Sequence, residues 1–339
     1  MYSFRNDYSE GAHPKVLEAL TKTNFTQTCG YGLDPFCQDT AELIRTLCAC
    51  PEADVHFLVG GTQTNTVVLD ALLASYESVI AAHTGHINVH ETGAIEATGH
   101  KVCTVFSPDG KLTPALVDTV VKGHSSEHMV LPRVVYISDT TEVGTLYTKA
   151  ELTALRDYCD DHGLLLFLDG ARLGSALTSP ENDLTLEDLA RLTDAFYIGG
   201  TKNGLLFGEA LVMTTPCPHF RWHMKQRGAI LAKGRLLGVQ FKAILEDGLY
   251  FELSRHANAL AFRLRDGIAA LGYPFPVPSP SNQQFPVLPN AVVEKLQEMG
   301  YEFEIDHAVD ESHTCIRLVT SWATPEQAVE EFLRDLAAC

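Results

Sequence analysis

Two short, glycine-flanked segments carry the residues best suited to chemistry. Lys202 stands in Gly199-Gly200-Thr201-Lys202-Asn203-Gly204, directly after the apolar run 195–198. Asp169-Gly170-Ala171-Arg172 follows a second apolar run, 164–168. A lysine amine that is poorly hydrated and close to other cations has a lowered pKa and becomes a nucleophile able to form a Schiff base. A carboxylate at the end of a buried strand is costly unless it meets a cation. For Asp169 that cation is Arg172, three residues on, or the ring nitrogen of a bound cofactor; capping of the following helix is a third use. Lysine, aspartate and arginine together are the set that holds pyridoxal 5′-phosphate. Lys202 then forms the Schiff base, Asp169 keeps the pyridine nitrogen protonated so that the ring accepts electrons, and Arg172 faces the phenolic oxygen. The flanking glycines leave room for a planar ring against the backbone.

Two further clusters join this set. Gly60-Gly61-Thr62-Gln63-Thr64-Asn65 follows an apolar strand and opens a helix. Read plainly, it is a tight strand-to-helix turn with Thr62 as N-cap. Beside Asp169 and Lys202 it also reads as a phosphate cup, in which Gly61 lets the backbone approach an anion and Thr62 adds a hydroxyl. His83-Thr84-Gly85-His86-Ile87-Asn88-Val89-His90-Glu91 has histidines at intervals that invite a metal reading. The helical His-Glu-x-x-His order is missing and Gly85 interrupts the first pair, so no metal is expected. A flat imidazole stacked on a cofactor ring is the better reading for His86, with proton transfer as a second task. His83 and His90 also read as surface histidines after a strand.

The elements that position these residues follow from hydrophobic patterning. Non-alternating apolar runs at 55–59, 78–82, 101–106, 133–138, 164–168, 195–198 and 209–214 predict strands buried on both faces. Helical patterns at 62–73, 114–122, 149–162 and 184–192 fall between them. This alternation predicts an α/β domain with a mostly parallel seven-stranded sheet flanked by helices, binding its ligand where the strands end. The last third differs. A helical segment at 234–271, with breaks expected at Gly248 and Gly267, runs into the proline-rich stretch 273–280. Strands at 284–288, 301–305 and 315–321 then alternate with helices, the first at 291–299. Thr324-Pro325-Glu326-Gln327 predicts a final helix, with Thr324 as N-cap and Gln327 closing a capping box. The division expected is a large domain over residues 1–240 and a small α+β domain over residues 241–339.

Composition narrows the function. The chain has 339 residues, 45% hydrophobic and 20% charged, enough apolar material for two domains. A net charge of -18 repels phosphate backbones, so nucleic acid is not an expected partner. No apolar run suffices to cross a bilayer and the N-terminus lacks a signal-peptide pattern, so no membrane partner is expected. Nine scattered cysteines read as reduced thiols of a cytoplasmic protein, and Cys48-Ala49-Cys50 as the end of a helix.

With these residues in place the chain resembles the low-specificity threonine aldolase / β-eliminating lyase family of pyridoxal-phosphate enzymes, which have the aspartate-aminotransferase fold. The resemblance runs almost end to end. It rests on Phe4-Arg5-Asn6-Asp7, Tyr31-Gly32-Leu33-Asp34-Pro35, Gly61-Thr62-Gln63-Thr64-Asn65, and Gly85-His86-Ile87 with Glu91-Thr92-Gly93. It continues through Leu168-Asp169-Gly170-Ala171-Arg172 and Thr201-Lys202-Asn203-Gly204 to Ile316-Arg317-Leu318-Val319-Thr320. The Asp-Gly-Ala-Arg element in register with the lysine element is the specific part.

The resemblance implies that Lys202, His86 and Asp169 are catalytic, and that Gly61, Thr62, Arg172 and Thr201 join them in binding the cofactor. It implies that Arg317 grips the substrate carboxylate. Asn6 stands where the family has a serine near that carboxylate, and Tyr31 matches a tyrosine that family dimers present near the active site. Two segments depart from the family pattern. Ser138-Asp139-Thr140-Thr141-Glu142 replaces Glu-Asn-Thr-His-Asn, which puts Thr141 where a histidine handles the substrate hydroxyl. The glycine-rich segment that follows in the family is replaced by 225–234, which leaves Arg227 or Lys233 for the phosphate.

The activity so implied is retro-aldol cleavage of a threonine-type β-hydroxy-α-amino acid to glycine and an aldehyde, in a homodimer or homotetramer. The threonine at 141 keeps β-elimination or racemisation open as the alternative. A cofactor-binding protein without turnover is a third reading.

Overall fold

The computed structural model describes residues 2–339. The main sheet contains β1 (Asp54–Leu58), β2 (Glu77–Ala82), β3 (Lys101–Val105), β4 (Leu131–Ser138), β5 (Leu165–Asp169), β6 (Ala195–Gly199) and β7 (Glu209–Met213). Across the sheet they run β1-β7-β6-β5-β4-β2-β3. The seven strands lie where the apolar runs predict them. β3, β2, β4, β5 and β6 are parallel neighbours. β7 is antiparallel to both β6 and β1. The connection from β6 to β7 spans only residues 200–208, too short for the crossover that a parallel partner requires.

Side chains on successive strand residues go to opposite faces, and each face has its own core. Leu166, Leu168, Phe196 and Ile198 join one; Phe167, Ala195 and Tyr197 join the other. Burial on both faces is why these strands read as continuous apolar runs. The helix Pro14–Thr23 and the helix Pro35–Leu47 pack against the helix Arg235–Leu245. Asp34 caps the second of them by accepting from Cys37 N, with Pro35 as its first residue.

The last third builds a smaller antiparallel sheet from β8 (Gln283–Gln284), β9 (Val287–Pro289), β10 (Glu304–Ala308) and β11 (His313–Val319), with β11 pairing all three others. The strand expected at 284–288 is two short pieces. Phe285 and Pro286 lie between them, and a proline has no N–H for the ladder. A third core joins Phe4 to Leu264, Leu296, Ile316, Leu318 and Phe332. The helix Leu249–Ala270 serves two cores, with Tyr250 in the first and Leu260, Leu264 and Ile268 in the third.

Two expected helix signals are corrected. The segment 234–271 breaks at Gly248 but not at Gly267, which lies inside the helix and leaves room for Leu333 where a β-carbon would stand. The final helix, Glu326–Ala337, has no side-chain cap. Thr324 Oγ1 instead accepts from Ser321 N (2.8 Å) and Tyr2 OH (3.1 Å), and Gln327 reaches Glu331. Capping boxes occur at Thr148–Glu151 and Thr185–Asp188. Among the described residues no helix is long and apolar enough to cross a membrane.

Candidate functional site

The ends of β5 and β6 touch backbone to backbone, and glycine makes this possible. A β-carbon on Gly170 would overlap the Tyr197 carbonyl oxygen, and one on Gly199 would overlap the carbonyl oxygens of Gly170 and Ala171. Gly199 N donates to Gly170 O at 3.0 Å. The chain then turns tightly. Gly200 N and Thr201 N both donate to Gly208 O, and Asn203 N donates to Gly200 O at 2.9 Å. Asn203 Nδ2 ties the turn to Tyr250 O at 2.8 Å. This turn carries Lys202 to the sheet edge where β5 delivers Asp169.

Asp169 is buried and accepts four hydrogen bonds. Oδ1 receives Tyr197 OH and Ala171 N (3.0 Å); Oδ2 receives Tyr136 OH (2.6 Å) and Asn65 Nδ2 (3.0 Å). Burial alone raises a carboxyl pKa. Here the charge of His86 and the two tyrosine hydroxyls outweigh it, so Asp169 is held below its ordinary value. Gly61 contributes by its size, since a β-carbon there would crowd the Tyr197 hydroxyl.

Arg172 does not pair with Asp169. It forms a two-pronged pair with Asp7, Nε to Oδ2 at 2.8 Å and Nη2 to Oδ1 at 3.1 Å, and Asn282 Nδ2 donates to the same Oδ2 at 2.9 Å. Burial would raise the Asp7 pKa, but Arg172 and then Lys202 lower it. The Lys202 amine moves the other way. Burial first and Arg172 second lower its pKa, against the opposing charges of Asp7, Asp169 and Glu209. A small cavity at the lysine is lined by Asp7, Arg172, Asn203, Tyr250 and Asn282. Behind the turn, Glu209 is buried; it accepts from Gly200 N at 3.0 Å and Thr201 Oγ1 at 2.9 Å. Burial pushes its pKa up to about 8.

A second line of groups runs from Asp169 to His86. Asn65 Nδ2 bridges Asp169 Oδ2 and Glu91 Oε1 (2.8 Å), and Glu91 Oε1 lies 2.7 Å from His86 Nδ1. Burial works against a charged His86, but Glu91 and Asp169 outweigh it and its pKa is raised. Glu142 Oε1 accepts from His86 N at 2.9 Å and Ser138 Oγ at 2.7 Å. Arg317, on β11, is half-buried, and its Nε is buried with no hydrogen-bond partner. Burial and then Arg172 lower its pKa.

The remaining sequence candidates lie as follows. Gly61 begins the helix Gly61–Leu72, whose N-cap, Gly60, supplies no side-chain hydrogen bond, so Thr62 is the second helical residue rather than the cap. Asn6 Oδ1 accepts from Tyr8 N (3.0 Å) and Ser9 Oγ (2.9 Å), closing a local turn, while its neighbour Asp7 reaches the cluster. Thr141 is buried and bonded to Thr145 Oγ1 at 2.7 Å, and its neighbour Glu142 is the residue that meets His86. Tyr31 is half exposed, lies outside the lysine cluster, and lines a separate cavity of about 480 Å³ with Asp54 and Arg221. Arg227 is held by Asp70, which leaves Lys233 exposed on the segment that follows.

The residues missed by sequence reasoning are Asp7, Asn65, Glu91, Tyr136, Glu142, Tyr197 and Asn282. Tyr136 and Tyr197 lie inside apolar strands and read as core. The signal that could have found them is that a buried phenol needs a partner for its hydroxyl.

Fold and site together define a class: an aspartate-aminotransferase-like α/β enzyme with a lysine and an aspartate converging at the strand ends. The chain belongs to the β-eliminating lyase family, which matches residues 4–291. It is 33% identical to the low-specificity L-threonine aldolase of Pseudomonas sp. (strain NCIMB 10558), across 99% of this chain and 97% of that one. The solved structure of Leishmania major threonine aldolase is 50% identical and superposes with a TM-score of 0.98, covering 100% of this chain and 99% of that one. The aspartate aminotransferase of Thermus thermophilus, 16% identical over 99% of this chain and 91% of that one, shares the fold with a TM-score of 0.73.

Proposed function

We propose that this chain is a pyridoxal-phosphate-dependent aldehyde-lyase. Its reaction is the cleavage of a β-hydroxy-α-amino acid of the threonine or allo-threonine type to glycine and an aldehyde. The observation that carries this reading is the sheet edge where the glycine-rich turn after β6 carries Lys202 and β5 delivers Asp169, a buried carboxylate that accepts four hydrogen bonds. Its relatives' names support the reaction type.

The residues fit the cofactor. The helix Gly61–Leu72 opens without a side-chain cap, so its first N–H groups suit a phosphate, with Gly61 and Thr62 at that end. The half-buried faces of His86 and Ala171 suit a flat ring. Asp169 would meet the ring nitrogen, Arg172 the ring oxygen, and Lys202, next to Thr201, the aldehyde carbon. When bound, pyridoxal phosphate supplies an electron sink for the bond broken at the substrate's Cα.

The protein's own groups do the rest. Lys202, its pKa lowered by burial and by Arg172, serves as a nucleophile and then as a base. Tyr136, Tyr197 and Asn65 hold Asp169 charged and fixed. Glu91 holds the proton on His86 Nδ1 and sets the plane of the imidazole. The unpartnered Nε of Arg317 suits a substrate carboxylate, which a guanidinium grips at two points. Arg172 and Asp7 keep that end of the cleft polar and rigid.

A second reading, β-elimination, is favoured by Thr141. Its hydroxyl is bonded to Thr145 and does not replace the family histidine. Loading the protein with pyridoxal phosphate, reducing with borohydride and sequencing the labelled peptide tests the cofactor assignment. Label on Lys202, lost in Lys202→Ala, is expected; label on another lysine, or none, contradicts it.

A further inference from the structure

We propose that Glu142 is the group that takes the β-hydroxyl proton of the substrate. The inference rests on the aldol-cleavage reading above and names a residue for the one step in it that lacks an assigned base.

Glu142 lies in the loop leaving β4, at the same end of the sheet as Asp169 and Lys202. It is half-buried, and both hydrogen bonds it accepts, from His86 N and Ser138 Oγ, fall on Oε1. The other acidic groups of the cleft are each engaged. Asp169 accepts four hydrogen bonds. Asp7 is paired with Arg172 and Asn282. Glu91 binds both His86 and Asn65 through Oε1; its Oε2 is unpartnered but buried, whereas Glu142 is only half-buried. Glu209 sits behind the turn on Thr201 and Gly200. His86 turns its Nδ1 to Glu91 at 2.7 Å, so that nitrogen is not offered to a substrate. Thr141, the position the family pattern assigns to the hydroxyl, turns away to Thr145. Among the described residues no cation pairs with Glu142. A backbone N–H, a serine hydroxyl and the nearby negative charge of Asp169 surround it, and the cleft also holds His86, Lys202, Arg172 and Arg317.

Such a carboxylate is a suitable base. Burial first, and Asp169 in addition, raise its pKa above the usual glutamate value. A base whose pKa approaches the working pH accepts a proton most effectively. In the step, the hydroxyl proton passes to Glu142 and the Cα–Cβ bond breaks. The hydroxyl carbon becomes the aldehyde carbonyl, and the electron pair stays with the Cα fragment. That fragment takes up one proton from solvent at Cα and leaves as glycine, and Glu142 returns its proton to solvent, so the cycle is neutral in protons.

The test compares the wild type with Glu142→Gln, which keeps the side chain's shape and an oxygen for Ser138 and His86 N. Both are loaded with pyridoxal phosphate and assayed for aldehyde release from L-threonine across pH. They are also assayed for deuterium exchange at the Cα of glycine, which has no β-hydroxyl. Aldehyde release is expected to fall on the order of 100-fold to 10,000-fold while glycine exchange persists, and the acidic limb of the kcat/KM profile is expected to disappear. In the proteins without cofactor, the infrared difference between wild type and variant is expected to show a carboxyl that titrates above the ordinary glutamate range. Retained cleavage in the variant overturns the proposal. So does a parallel loss of cleavage and glycine exchange, which would make Glu142 a positioning residue for His86. A wild type that exchanges glycine hydrogen but releases no aldehyde instead overturns the aldolase reading, and the role of Glu142 with it.

Discussion

Asp7 and Arg172 show how a buried charge is held by geometry and how that can be measured. Asp7 is almost fully buried, and its pKa is lowered by Arg172 and Lys202 against the effect of burial. A carboxyl whose folded pKa is depressed adds stability above its unfolded pKa, and this is lost as pH falls toward the folded value. Asp7→Asn leaves Arg172 with no ionic partner and is expected to destabilise the protein by about 3–5 kcal/mol at neutral pH. In urea unfolding the gap between wild type and variant should close as pH drops below about 4, the unfolded carboxyl range. A gap unchanged with pH would mean that the pair contributes nothing through charge. At this scale the sequence exposes the reactive types but not their partners. Lys202 and Asp169 are legible from glycine-flanked strand ends. That Arg172 turns to Asp7, 165 positions away, is set by the tertiary fold and has no local signal.

The turn between β6 and β7 belongs to the scale of elements. Glu209, the first residue of β7, holds Gly200 N and Thr201 Oγ1, and so fixes the turn that presents Lys202. Its folded pKa, about 8, lies above the ordinary glutamate value. A group with a raised folded pKa binds more protons folded than unfolded between those two values. Stability is therefore present at low pH and lost as pH rises through about 8. Glu209→Gln is expected to remove that fall, so that between the ordinary glutamate value and about 8 the variant keeps its urea midpoint while that of the wild type declines. An identical fall in both proteins would assign it to another group. The strands themselves were legible because burial on both faces leaves an unbroken apolar run. The direction of β7 was not, because it depends on the length of a connection. Gly267 and Thr324 misled for a related reason: packing on Leu333 and bonding to Ser321 and Tyr2 decided what local propensity left open.

Across the whole molecule, the cleft takes groups from both sheets: Lys202, Asp169 and Arg172 from the large one, and Arg317 from β11 of the small one. The helix Leu249–Ala270, shared by two cores, links them. Tyr31, Leu33 and Trp222 expose large apolar side chains, Trp222 at 72%, and Arg221 beside Trp222 donates to Tyr31 O. A face of this kind is expected to be covered by a second copy of the chain, so light scattering should give the mass of two or four chains; a single-chain mass would remove any role for Tyr31 near the lysine. The acidic composition was readable from the sequence, whereas which surfaces meet was not. The most direct test of the proposed function is product analysis with L-threonine and the protein loaded with pyridoxal phosphate. Glycine and acetaldehyde in equal amounts are expected; a keto acid with ammonia, and no aldehyde, would contradict the aldolase reading and assign the site to β-elimination.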